Sequence, residues 1–129
     1  MTDEEWNSIF SLIGQGELDQ LEPILDGDNG SEALNGWDNS GMTALRFAVE
    51  SGSVAAVRYL LGKGADPNQL DQRLGYTPLY NAVDANQLEI AKELLRAGAE
   101  PDLCLHGLSS AKQLAEDNRL DEFRALFRQ

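Results

Sequence analysis

Two stretches of the chain return at a fixed offset, and that periodicity narrows the fold more than any other feature. Gly41-Met42-Thr43-Ala44-Leu45 recurs as Gly75-Tyr76-Thr77-Pro78-Leu79, and Leu60-Leu61-Gly62-Lys63-Gly64-Ala65-Asp66-Pro67-Asn68 as Leu94-Leu95-Arg96-Ala97-Gly98-Ala99-Glu100-Pro101-Asp102, each 34 residues further on. Asn35-x-x-Asp38-x-x-Gly41 matches Asn68-x-x-Asp71-x-x-x-Gly75 with one extra residue in the second turn. A period of this size marks a stack of small units, each unable to bury its apolar face without a neighbour.

The physics of one unit can be read directly. Leu45, Ala48 and Val49 recur at helical spacing after Thr43, and beyond Gly52 a second stripe of Val54, Val57, Leu60 and Leu61 follows. Thr43 and Thr77 stand at N-cap positions, Pro78 suits a first helical turn, and Gly64 and Gly98 follow the second helices as C-terminal caps. Helices this short are marginal alone, so each pair must be held by packing against the next. An extended hairpin loop through Asp66-Pro67-Asn68 and Asp71 joins the units.

These residues are similar to the ankyrin repeat, whose pattern runs Asp-x-x-Gly-x-Thr-Pro-Leu-His-x-Ala, then Gly, then Leu-Leu-x-x-Gly-Ala-Asp-x-Asn. Residues 35–102 match it twice. A degenerate copy follows in Gly107-Leu108-Ser109-Ser110-Ala111, with Asn118 placed 8 and 9 residues before Leu126 and Phe127, the spacing that Gly52 and Asn86 have to their own apolar pairs. Gly16 stands in the same relation to Ile24 and Leu25, so a further copy opens the chain. The resemblance implies a mainly α solenoid of stacked helix-turn-helix units joined by β-hairpin-like loops. It forms one domain over residues 1–129, with units of about 2–34, 35–67, 68–101 and 102–129.

The end units depart from the pattern as caps do. Thr2 with Glu5 forms a capping box ahead of the stripe Trp6, Ile9, Phe10 and Ile13. Pro23 falls within the second helix, removes its hydrogen bond to Asp19 and should bend or shorten it. At the other end Leu120, Phe123, Leu126 and Phe127 close the stack while Arg119, Arg124 and Arg128 face water. Residues 26–32, Asp-Gly-Asp-Asn-Gly-Ser-Glu, are expected to form a flexible loop. A calcium loop starting at Asp26 would need glycine at its sixth position and a carboxylate at its twelfth, where Ser31 and Trp37 stand.

Charge is distributed unevenly. The chain has 22 Asp plus Glu against 10 Lys plus Arg, a net charge of -12. Residues 1–45 hold 10 of the acids and no Lys or Arg. That balance opposes nucleic acid and anionic membranes, both of which need a basic footprint, and favours a basic protein partner. No run approaches the roughly 18 apolar residues of a membrane span, and the start lacks a basic region before an apolar one, so a cytoplasmic location is expected. The one cysteine, Cys104, is expected as a free thiol beside the core, and with His106 it supplies two zinc ligands at most. Gly62-x-Gly64 follows a helix rather than a strand and cradles no phosphate, and Glu116-Asp117 reads as a solvated helix face. No cofactor, metal or catalytic constellation is implied.

The resemblance places partner contacts on the hairpin tips and the exposed side of each first helix. Residue by residue it selects Met42, Tyr76 and Leu108 after the hairpin glycines, with Trp6 equivalent in the first unit, and none of these is expected to have a core to fill. Trp37 and Leu70 precede the hairpin aspartates, and Arg73 and Leu74 occupy the turn with the extra residue. Arg46, Tyr80 and Lys112 stand where the family usually has histidine, which removes a common inter-repeat hydrogen bond and leaves larger side chains for a ligand. Glu50, Asp84 and Glu116 supply one carboxylate per unit in an acidic row. The resemblance implies a non-catalytic protein-binding function, and a chain that is nearly all repeat resembles stand-alone inhibitors of the immunity or antitoxin type, so a stoichiometric inhibitor is expected as the leading form. An adaptor, an assembly factor or an allosteric regulatory subunit is the alternative, and the free protein is expected as a monomer.

Overall fold

The computed structural model describes residues 1–128; Gln129, the last residue of the fourth expected unit, lies outside them. In chain order the helices are α1 (Asp3–Gln15), α2 (Glu22–Leu25), α3 (Gly30–Asn35), α4 (Ala44–Glu50), α5 (Val54–Gly62), α6 (Pro78–Asp84), α7 (Leu88–Arg96), α8 (Ala111–Asp117) and α9 (Asp121–Phe127), with a 3-10 turn at Leu18–Gln20. Hydroxyl caps open the first helix of every unit. Thr2, Thr43, Thr77 and Ser110 accept from the amides of Glu5, Arg46, Tyr80 and Gln113 at 3.0–3.2 Å.

Helices α1, α4, α6 and α8 pack side by side as one layer, and α5, α7 and α9 as the other, with α4/α5, α6/α7 and α8/α9 paired across them. Between the layers run rows of fully buried side chains: Leu45 and Leu79, Val49 and Val83, Leu60 and Leu94. Each contributes about 1.5–3 kcal/mol by leaving water. Ala48, Ala82 and Ala115, also fully buried, keep the inner helices close.

Hydrogen bonds at the loop bases tie the start of each middle unit to its end. Asn35 Oδ1 accepts from the Asp66 amide (2.8 Å), and one unit later Asn68 Oδ1 accepts from the Glu100 amide (2.9 Å) while its Nδ2 donates to the Gly98 carbonyl (3.2 Å). The aligned asparagines therefore link one loop base to the next along a single repeat. Among the described residues no strand forms. The loops are hairpin-like through single backbone bonds, Asp38 N to Met42 O (2.9 Å) and Asp71 N to Tyr76 O (3.3 Å), and Gln72 N to Gly41 O (2.9 Å) joins one loop to the next.

Pro23 acts as expected. The second helix of the first unit is broken into the turn at Leu18–Gln20 and the four-residue α2, with Pro23 in the first turn of α2, where its missing amide is not needed. The flexible loop expected after it is corrected in part, because Gly30–Asn35 form α3, which packs on α2 and α4 and buries Ala33 completely. Gly30 permits this approach: a Cβ there would fall 1.9 Å from the Leu25 carbonyl oxygen.

The last unit is corrected by one residue. Its helix cap is Ser110 and its left-handed turn residue is Arg119 (φ 53°), nine positions apart like Thr43 and Gly52, or Thr77 and Asn86. One additional residue thus separates Gly107 from its cap. In this register Gln113 is equivalent to Arg46 and Tyr80, Asp117 to Glu50 and Asp84, and Ser109 to Met42 and Tyr76. Lys112 and Glu116 then fall where the other units bury Leu45 or Leu79 and Val49 or Val83. They are held by Asp102 (3.7 Å) and Arg124 (3.2 Å). Arg124 consequently lies along the surface between Glu116 and Asp121 (3.2 Å) rather than free in water.

Candidate partner-binding surface

The loop tips are built on two aspartates. Asp38 Oδ1 accepts from the amides of Ser40 and Met42, both at 2.9 Å, and Asp71 Oδ1 from those of Arg73 (2.9 Å) and Leu74 (2.8 Å). In the second loop the extra residue lifts Leu74 outward, to 60% exposure. Trp37, at 38%, is fixed to the neighbouring loop, since its indole Nε1 donates to the Leu70 carbonyl at 2.9 Å. Leu105 of the last loop, at 47%, completes the patch over Gly75, with Leu108 half-buried beside it. Trp37, Leu70, Arg73, Leu74 and Leu105 line one concavity of about 470 Å3. Sequence reasoning named the first four and missed Leu105, whose only signal is an apolar side chain outside any helical stripe.

The inner helices carry the second part. Tyr76 and Tyr80 stack at 4.0 Å between ring centroids, 8° from parallel. Burial, and then the charge of Tyr76 and Asp84 nearby, push the Tyr80 phenol above its ordinary pKa. Arg46 is corrected as a free ligand contact. Its side chain is 11% exposed and held by Glu50 (2.7 Å) and Asp71 (2.5 Å), so an ion pair joins the units where the family's histidine is missing.

Two further residues change role. Met42 is 7% exposed and Trp6 is buried against Phe10 at 5.7 Å, so neither is offered to a partner. Both adjoin α4, on which α1, α3, α5 and α6 all pack. In the corrected register Asp117, and not Glu116 as expected, is the residue equivalent to Glu50 and Asp84. Glu50 is neutralised by Arg46, and Asp117 accepts from Gln113 Nε2 at 2.7 Å. Asp84 is exposed and makes no ion pair among the described residues.

Of the ten carboxylates before residue 46, Glu22 alone meets a side-chain cation among the described residues, Lys63 at 3.2 Å, and Glu32 meets the N-terminal ammonium at 3.1 Å. Most of the first unit's charge therefore projects as an uncompensated field. Cys104 and His106 are exposed in the last loop; the thiol expected beside the core faces solvent. Among the described residues no group of three His, Cys, Asp or Glu side chains is arranged to hold a metal, and no helix is long and apolar enough to cross a membrane.

A two-layered stack of capped helix pairs, with apolar loop tips and a polar inner face, defines a repeat protein of the interaction type. Residues 9–104 match the family described as ankyrin repeats (3 copies), and the chain belongs to that family. It is 37% identical over 101 residues to the B-cell lymphoma 3 protein homolog of Mus musculus, covering 78% of this chain and 22% of that protein. Protein phosphatase 1 regulatory subunit 27 of Mus musculus is 37% identical over 90 residues, 70% of this chain and 56% of the relative. The 2-5A-dependent ribonuclease of Mus musculus is 48% identical over 59 residues, 46% of this chain and 8% of the relative. This chain thus spans between 8 and 56% of the lengths of these three relatives.

Proposed function

We propose that this chain is a non-catalytic, stoichiometric inhibitor, of the immunity or antitoxin type, that covers the working surface of a basic protein partner. The reading is carried by the exposed apolar tips, Trp37, Leu74 and Leu105, together with a first unit in which, among the described residues, only Glu22 and Glu32 meet a cation, Lys63 and the N-terminal ammonium. Apolar anchors next to charge suit protein interfaces, the anchors holding the complex and the charge speeding encounter. In this reading the free protein is a cytoplasmic monomer. The test is to purify the complex with the natural partner and assay that partner across a titration. Activity falling to zero at one equivalent supports inhibition, and full activity in a saturated complex sinks it.

A second reading, a regulatory subunit that redirects its partner, is favoured by the relative named as a regulatory subunit of protein phosphatase 1. It would show as altered substrate preference at saturation instead of lost activity.

A further inference from the structure

The C-terminal ends of α6 and α8 enclose a second concavity, at the edge of the stack away from the loop tips. Its volume is about 360 Å3 and its lining is Val83, Asp84, Asn86, Leu114, Asn118 and Leu120. Asp84 is the one charged side chain in that lining, and it has neither an ion pair nor a hydrogen bond among the described residues. Asn86 stands in the left-handed region (φ 57°), also without a side-chain hydrogen bond. Asn118 spends its Nδ2 on the Leu114 carbonyl (3.0 Å), so its Oδ1 remains to accept.

We propose that this concavity binds an arginine side chain of a protein partner. It offers a carboxylate and amide oxygens to a cation, and the C-terminal ends of two helices add partial negative charge. Val83, Leu114 and Leu120 supply apolar walls for an aliphatic stem. A guanidinium fits this set better than an ammonium, because its planar fork can bond a carboxylate and an amide oxygen at once and is more weakly hydrated. The chain's net charge of -12 favours such a ligand over an anion. Arg119 lies in the adjoining turn but is not part of the lining. The inference rests on the protein-binding reading above but uses a site separate from the tips, so the two can fail separately.

The test is a titration of the 15N-labelled chain with N-acetyl-argininamide, alongside the citrulline and lysine counterparts, read by NMR. Saturable shifts should be confined to Asp84 and to the side-chain amides of Asn86 and Asn118. Binding should fall at least tenfold for citrulline and in Asp84→Asn, whose unfolding midpoint stays at that of the wild type. No saturable shift, shifts spread through residues 1–45, equal binding by Asp84→Asn, or lysine binding as tightly as arginine would each overturn the assignment. With the natural partner, Asp84→Asn should weaken binding at least tenfold. Unchanged binding by Asp84→Asn overturns the arginine pocket alone, whereas unchanged binding after loss of Trp37 and Leu74 overturns the tip docking instead.

Discussion

Arg46 of α4 pairs with Asp71 of the following loop, Nη1 to Oδ2 at 2.5 Å, and this contact locks the second unit to the third. Asp71 is 3% exposed and its other oxygen serves the Arg73 and Leu74 amides, so one carboxylate holds both a loop and an inter-repeat joint. Arg46→Ala should cost about 3 kcal/mol, because it strands a buried carboxylate. Asp71→Ala should cost more, since two amides lose their acceptor as well, at about 1 kcal/mol each. Asp71→Asn, which keeps an acceptor for those amides, should cost least. Urea unfolding with unchanged slope ranks the three, and a reversed order would show that the ion pair is not the joint.

Trp37 and Leu74 separate binding from folding. Leu74→Ala should leave stability within about 0.5 kcal/mol, as expected for an exposed side chain. Trp37→Ala loses the bond to Leu70 and should cost about 1 kcal/mol. Partner affinity should nevertheless fall by about 2–4 kcal/mol for the pair if they are anchors. Calorimetry of the complex and of unfolding checks both numbers in the same preparation.

Gly75 sits at φ +80°, and a Cβ there would fall 2.7 Å from Leu105 Cδ1. Gly75→Ala should therefore cost about 1–2 kcal/mol for the backbone and also push Leu105 off the tip. Gly107 has a similar φ of +87° but open space around it. Gly107→Ala should show the backbone cost alone, with the tip undisturbed. Equal effects of the two substitutions on partner binding would remove Leu105 from the interface.

Glu93 links the second helices of two units through Arg58 (3.1 Å) and lies 2.6 Å from Arg96. The Arg58 hydrogen bond and charge, aided by Arg96, hold its carboxyl below the ordinary glutamate value, against a smaller opposing effect of burial. A depressed folded pKa gives stability that is present above the unfolded value and lost as pH falls through the folded one. Stability should decline on the acid side of the glutamate range, and Glu93→Gln should flatten that limb while leaving neutral and alkaline pH dependence alone. An acid limb of the same steepness in Glu93→Gln would assign it to other carboxylates.

The repeat, its caps and the break at Pro23 were legible because each rests on local chemistry: a hydroxyl before a helix, a missing amide, an offset of 34. The last unit slipped by one because Ser109 and Ser110 are equally good caps in sequence, and packing chooses between them. Ser110 places Ala111 and Ala115 against α6 and leaves Lys112 and Glu116 where polar pairs can hold them. Helix α3 escaped for another reason. Ala33 and Leu34 are its only apolar residues, too few for a period, and its order comes from packing on α2 and α4. Exposure at the tips is likewise a tertiary property, so Met42 and Tyr76 occupy one register yet Met42 is covered and Tyr76 half-exposed.

The corrected register makes its own prediction at Arg119. Four turns join the first and second helices of the units, and their left-handed residues are Gly16, Gly52, Asn86 and Arg119, with φ between 53 and 74°. A left-handed residue bearing a Cβ is strained by roughly 1–2 kcal/mol. Glycine removes that strain but gives back about 0.4–1 kcal/mol through a freer unfolded chain. Arg119 is exposed and makes no ion pair among the described residues, so nothing else is lost with its side chain. Arg119→Gly should therefore stabilise the protein by about 0.5–1 kcal/mol, raising the unfolding midpoint. Asn118→Gly should do the opposite, because Asn118 is not left-handed and its side chain closes α8 on the Leu114 carbonyl. The register inferred from sequence alone, with Asn118 in the turn, demands the reverse ranking, so thermal unfolding of the two variants decides between the registers.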